Sequence, residues 1–246
     1  MYFKDKGIIL GKRKISDSDV VMNILTVEHG KIQVFAKESS RGKSRANVVN
    51  QPFIYGNFDI KKGSKNYRLI SVDIEKSYYS LRENLYSLSY GSYFLELVDK
   101  NLKEEMISKK IFLLLLKTLD GIEGNVENYI VIKNYFEMKF LYFYGVRPNI
   151  DVCLNCGEIG EKRYFSPEAG GIICNRCNVL YRDLIELEDE ELLYMRDVLY
   201  NSLENILNLN ISDNIVSKVD IILNRFILSH LACKKYKSLE FIKSLI

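Results

Sequence analysis

Lys31-Ile32-Gln33-Val34-Phe35-Ala36-Lys37 alternates without a slip: Ile32, Val34 and Ala36 fall on one side, and Lys31, Gln33, Phe35 and Lys37 on the other. A period of two marks a half-buried strand, here with an apolar side for a core and a second side that mixes cations with an aromatic ring. Four more short runs surround it: Gly7–Lys14, Val20–Val27, Phe53–Ile60 and Tyr67–Lys76. Turn signals at Ser16-Asp17, His29-Gly30, Arg41-Gly42 and Lys62-Gly63 separate the runs. Five short strands in such a span predict a small barrel. In the fifth run Ile70, Val72 and Ile74 are expected on the core side, with Tyr67, Leu69 and Ser71 pointing away; the second run has no clean alternation.

The period changes after Ser80. Leu81, Leu85, Leu88, Leu95, Val98 and Leu102 recur mostly at steps of three and four, the spacing of one helix face. Helical pattern continues over Met106–Leu119 and Val126–Tyr144, where Gly145 and Pro148 stop it. Beyond the cysteines, helices are expected over Asp189–Leu207 and Asp213–Lys234, with a short one near Lys237–Leu245. The chain therefore reads as α+β: a barrel domain over residues 1–80, a helical domain over 81–150 and 181–246, and an inserted metal knuckle over 151–180.

Composition bounds the function. With 246 residues, 47% hydrophobic and 27% charged, the chain can bury a core, and a disordered, collagen-like or rod-like protein is a poor fit. No signal-like apolar stretch follows Met1, and the most apolar run, Ile111–Leu116, is far too short to span a bilayer, so a cytoplasmic protein without membrane contact is expected. The net charge of +3 hides an asymmetry: residues 1–80 hold 15 Lys and Arg against 8 Asp and Glu, leaving 20 against 24 for the rest. A basic N-terminal part suits a phosphate backbone, because each neutralised phosphate releases counterions.

Cys153-x2-Cys156 and Cys174-x2-Cys177 have the spacing of a zinc site. Each C-x-x-C turn presents two thiolates, and two turns complete a closed tetrahedral shell, which makes a Zn2+ ion there structural. An iron–sulfur cluster is the alternative ligation. The fifth cysteine, Cys233, is expected in the core side of a helix. His29 and His230 read as structural. Gly42-Lys43-Ser44 resembles the end of a phosphate-binding P-loop, but Lys37 stands where the earlier glycine is required and no apolar helix follows. Lys37, Arg41, Lys43 and Arg45 make better sense as a basic loop along a nucleic-acid backbone. No set of residues has the pattern of a catalytic site, so the protein is not expected to be an enzyme.

Four stretches resemble the bacterial recombination mediator family RecO. They are Ser18-Asp19-Val20-Val21 through Leu25-Thr26, Gly30, Phe35-Ala36-Lys37 and Lys43-Ser44; Gln51-Pro52-Phe53; Phe136-Glu137 to Leu141, Gly145, Pro148, Cys153, Cys156-Gly157, Phe165, Gly170-Gly171, Cys174 and Cys177; and Lys237-Ser238-Leu239-Glu240-Phe241. The resemblance implies an N-terminal OB-fold, a helical domain and a zinc module. It implies a DNA repair protein of the bacterial cytoplasm, associated with the nucleoid, that binds single- and double-stranded DNA. Such proteins anneal complementary strands coated by single-strand-binding protein and act with RecR to load RecA. On this reading Lys31, Lys37, Arg41, Lys43 and Arg45 track phosphates and Phe35 offers a stacking surface. Lys133 and Lys139 are the candidates for the acidic tail of single-strand-binding protein. Two other classes compete: a zinc-bearing single-strand-binding factor without annealing activity, and a nuclease with a structural zinc.

Overall fold

Each of the first strands has an apolar side, β2 having two, and five such sides are hidden together when the sheet closes on itself. The computed structural model describes residues 1–16, 19–37, 51–63, 66–124 and 127–245. Its strands β1 (Tyr2–Lys14), β2 (Asp19–Thr26), β3 (Gly30–Lys37), β4 (Tyr55–Lys62) and β5 (Tyr67–Lys76) form a closed barrel in the order β1-β2-β3-β5-β4. Neighbours are antiparallel except for a short parallel contact of β3 with β5, Val34 opposite Tyr67 and Phe35 opposite Arg68. This is the five-stranded Greek-key arrangement of an OB-fold. Met22, Ile24, Ile32, Val34, Ile54, Phe58 and Ile60 fill the interior, and Ala36 packs against them, as the alternation of β3 predicts.

The expected parity of β5 holds for only half the strand. Asp59 pairs with Ser71 and Ile60 with Leu69, so Ile70 is an extra residue on β5 with no partner on β4. Such a bulge shifts the side chains before it to the other face. Tyr67 and Leu69 therefore pack on the core with Val72 and Ile74, and Ile70 is 55% exposed.

The helices are α1 (Leu85–Asn101), α2 (Lys109–Gly124), α3 (Tyr129–Tyr144), α4 (Asp189–Tyr200), α5 (Leu203–Leu207), α6 (Asp213–His230) and α7 (Lys237–Lys243). At the start of α1 the Asn84 side chain accepts from the Tyr86 and Ser87 backbone N–H groups, two of the donors a helix N-terminus leaves over. Gly145, with φ of 90°, ends α3 in a left-handed conformation that costs glycine little. The helix expected over 189–207 is two, because Asn201 is extended and Ser202 caps a new start by accepting from the Asn205 N–H. The one expected to reach Lys234 ends at His230, which leaves Cys233 on the following loop, its thiol donating to the Lys235 carbonyl.

Packing divides the chain into two compact units, residues 1–119 with 236–246, and residues 120–235. In the first, α1 packs against β1 and α7 against α1, and buried Asn101 donates to the Tyr236 hydroxyl at 2.9 Å. In the second, α3 is surrounded by α4, α5 and α6, so nearly every position from Ile132 to Leu141 is buried. That unit also holds a three-stranded sheet in the order β7-β6-β8, built from β6 (Arg163–Ser166), β7 (Gly171–Cys174) and β8 (Ile185–Leu187). Among the described residues no helix is long and apolar enough to cross a membrane.

Candidate functional site

Two sites emerge, one on the barrel surface and one on the cysteine sheet. The cysteines come from two turns that the small sheet brings together. The first follows the Asn149–Gly171 bridge that extends the edge of β7; there the Cys153 N–H donates to Glu158 and the Gly157 N–H returns to the Cys153 carbonyl. The second begins at the last residue of β7, where the Cys177 N–H donates to the Cys174 carbonyl at 3.0 Å. The chain passes so close at Gly160 that a Cβ there would sit 2.6 Å from the Cys174 Cβ, so no other residue fits without displacement.

All four Sγ atoms lie within 4.8 Å of one another, with Cys156 and Cys174 3.7 Å apart. A tetrahedral ion with metal–sulfur bonds of about 2.3 Å requires sulfur–sulfur edges of about 3.8 Å, so the cluster can hold one metal ion. Donors are already aimed at the sulfurs: the Cys174 N–H at Cys153, 3.4 Å, and the Asn155 side-chain amide at Cys177, 3.3 Å. Burial raises the Cys153 thiol, but N–H donation from Cys174, Cys156 and Asn155 outweighs it and brings it down to about 6. Cys156 is pushed up to about 12 by desolvation and by hydrogen bonding with the other three sulfurs. Thiols this close cannot all ionise unless a cation shares their charge.

On the barrel, β3 shows the two-sided character its sequence predicts. Ile32 and Val34 are buried, Gln33 is exposed and Phe35 is half-buried. Lys31 shares the outer face, but it is not turned toward solvent: its Nζ donates to the Asp99 main-chain carbonyl and lies 3.7 Å from that residue's carboxylate. Only 12% of the side chain is exposed. Lys31 thus ties β3 to the end of α1, which corrects its expected place among the phosphate contacts. The backbone of Lys37 ends β3, while its side chain and all of Arg41, Lys43 and Arg45 lie outside the described residues.

Two arginines outside the expected set share the outer face with Phe35. Arg13 on β1 pairs with Val21 on β2, Val21 with Phe35 on β3, and Phe35 with Arg68 on β5. Direct partners share a face, so these four side chains form one row across four strands. The strand order 1-2-3-5-4 was the signal for them; strand periodicity alone does not say that β5 lies beside β3.

Lys133, expected to meet a partner on a helix surface, is instead in the core. Its side chain is 2% exposed, 2.9 Å from Glu137 and 2.6 Å from Asp220, and it also donates to Asn224 at 3.0 Å. Burial opposes its charge, yet the two carboxylates overcome this and raise its pKa. An ammonium so enclosed cannot receive a partner's carboxylate, and this overturns its assignment. Lys139, six residues further along α3, is half-buried with its Nζ 5.5 Å from the Tyr135 ring centre.

Comparison with known proteins covers both units. Residues 1–78 match the family model described as Recombination protein O N terminal, and residues 82–240 match the one described as Recombination protein O C terminal. The chain is 29% identical over 246 residues to the DNA repair protein RecO of Alkaliphilus metalliredigens, covering all of both chains. It is 28% identical over 243 residues to that of a Thermoanaerobacter species, 98% of this chain and 97% of the relative. To the Bacillus subtilis protein of the same name it is 32% identical over 181 residues, 72% of this chain and 69% of the relative.

Proposed function

Because the chain belongs to the RecO family of DNA repair proteins, we propose that it is a recombination mediator: it binds single- and double-stranded DNA, anneals complementary strands coated by single-strand-binding protein, and with RecR helps load RecA. The observation that carries this reading is the match of both family models in order along a chain whose first part is a five-stranded barrel. Barrels of this topology hold single strands by stacking bases on aromatic rings while cations track the backbone. Phe35 supplies the ring, and Lys37, Arg41, Lys43 and Arg45 supply the cations. Annealing makes and breaks no covalent bond. It requires a surface that holds two strands loosely enough for bases to search for partners, which phosphate contacts permit because they carry no sequence information.

The ion at Cys153, Cys156, Cys174 and Cys177 is zinc on this reading, since four thiolates in a closed tetrahedral shell suit Zn2+ and leave no position for a reacting water. Zinc supplies a cross-link that holds two turns together. The four cysteines bind it, and the neighbouring N–H donors stabilise their thiolate charge. Lys139 remains the candidate on α3 for the acidic tail of single-strand-binding protein.

The test is annealing of two complementary oligonucleotides pre-coated with single-strand-binding protein, set beside strands coated with that protein lacking its acidic tail. Duplex formation that depends on the tail is expected. Binding of bare strands with no annealing of coated ones replaces this reading with a zinc-bearing single-strand-binding factor.

A further inference from the structure

We propose that Arg13, Phe35 and Arg68 form a single contact row that makes the barrel favour unpaired over paired DNA; this rests on the DNA-binding reading above. The strand register sets the spacing. Neighbouring strands lie about 4.8 Å apart, so Arg68 flanks Phe35 at about 5 Å on one side and Arg13 at about 10 Å on the other. Between Arg13 and Phe35 stands Val21, which is 5% exposed and forms a low floor between longer side chains. Arg13 and Arg68 are both exposed, and neither forms an ion pair among the described residues.

The barrel surface next to the row, along β4, differs. There Lys6 is 2.9 Å from Glu75, and Lys4 stands opposite Asp59, which accepts from the Ser71 hydroxyl. A strand laid on that side meets carboxylates at once. Two carboxylates stand near the row: Asp19, two residues from Val21 on the same face of β2 and accepting from the Ser16 hydroxyl, and Asp99, across a hollow lined by Gly11, Lys12, Arg13, Val21, Asn23 and Gln33. Asn23 donates to Asp99 at 2.8 Å and Lys31 lies 3.7 Å away, so its charge is partly answered. Arg13 and Lys12 line the same hollow, so a phosphate there meets cations as well as Asp99, and the backbone is held at the guanidinium groups.

Chemistry then separates the three residues. A guanidinium binds a phosphate through two N–H groups whether or not the strand is paired. A phenyl ring needs an exposed base face, which single strands offer and a duplex hides in its stack. Phe35 therefore discriminates and the arginines do not.

The experiment measures binding of the full chain to a labelled oligo-dT and to a blunt duplex, by fluorescence anisotropy over a range of salt. Phe35→Leu should weaken oligo-dT binding on the order of 10-fold with its salt slope unchanged, and leave duplex binding within about 2-fold. Phe35→Tyr, which keeps the ring, should bind like the parent. The double variant Arg13→Gln/Arg68→Gln should lower the slope of log K against log salt on oligo-dT by about 1.4, two contacts at about 0.7 each, and weaken the duplex as well. Equal loss on both substrates with Phe35→Leu, or an unchanged slope in the double variant, overturns the row. A parent chain that binds neither oligonucleotide overturns the DNA-binding reading itself, whereas parent binding that these substitutions leave untouched overturns only the row.

Discussion

The barrel encloses Met22, Ile24, Ile32, Val34, Phe58 and Ile60, each at most 1% exposed, whereas around the sulfurs of the cysteine sheet the buried cluster is Cys153, Ile173, Cys174 and Cys177, with Tyr181 and Leu184 against it, and the sheet's Phe165 is buried against Phe226 of α6. Both are small sheets. The barrel has strands of eight residues or more and closes through the short β3–β5 contact, so apolar burial and its long antiparallel ladders suffice. The cysteine sheet has strands of three and four residues, too short to bury a core of their own. A sheet that cannot bury enough surface needs a cross-link, and four converging sulfurs provide one when a metal is bound.

The sharpest way to break this contrast is to remove the metal. Structural zinc contributes about 10–16 kcal/mol of apparent binding free energy at neutral pH. Chelation, or Cys174→Ser, should abolish metal stoichiometry and the hydrogen-exchange protection of the Leu154, Ile172 and Asn175 amides, which donate to the Ile172, Asn149 and Lys162 carbonyls around the cysteines. Barrel amides in β2 and β3 should stay protected. If they exchange together with the cysteine sheet, the two regions do not differ in the way argued.

The reciprocal experiment is Phe58→Ala. Phe58 is fully buried in the barrel, and the truncation should cost about 3–5 kcal/mol in denaturant unfolding. Metal content per chain should not change. A fall in metal content would couple the regions.

Lys133 tests a third means of holding structure, a buried charge cluster. Lys133→Ala removes the cation that Glu137, 0% exposed, and Asp220 share, and should cost about 3–5 kcal/mol through the carboxylates left behind. The linked pH effect has a definite sign. The folded pKa of Lys133 is raised, so its contribution is fully present below the unfolded value of about 10.4 and is lost only as pH rises through the higher folded value. The pH dependence that Lys133 itself adds to the parent's stability is therefore confined to alkaline pH, above about 10, whereas Lys133→Met should gain stability relative to the parent as pH falls and the carboxylates left unpaired take up protons, read by chemical denaturation at each pH.

These cases also mark what the sequence can disclose. The strands of the barrel and the C-x-x-C pairs are local patterns, set by a period of two and by a fixed spacing, and both appear in the structure where those patterns stand. Lys133 was misread because its decisive partner, Asp220, is 87 residues away, and because α3 is covered on most of its sides, so a charge on it does not mark a solvated face. Lys31 fails for the same reason: Asp99 is 68 residues distant. The relation of Arg13 and Arg68 to Phe35 is a matter of register between strands, which periodicity within one strand does not contain.

The smallest effect probes that same limit inside β5. Strict alternation puts Ile70 in the core and Leu69 outside, and the bulge exchanges them. Threonine keeps β propensity at either site while removing apolar surface, so the pair of substitutions isolates burial from strand formation. Leu69→Thr should destabilise by about 1 kcal/mol or more, since its side chain packs on the barrel core, whereas Ile70→Thr should stay within about 0.5 kcal/mol. The reverse ranking in urea unfolding would restore the unbroken period and remove the bulge. It would also turn Arg68 to the other face and dissolve the row it forms with Phe35, so this modest difference in stability bears directly on where a DNA strand can lie.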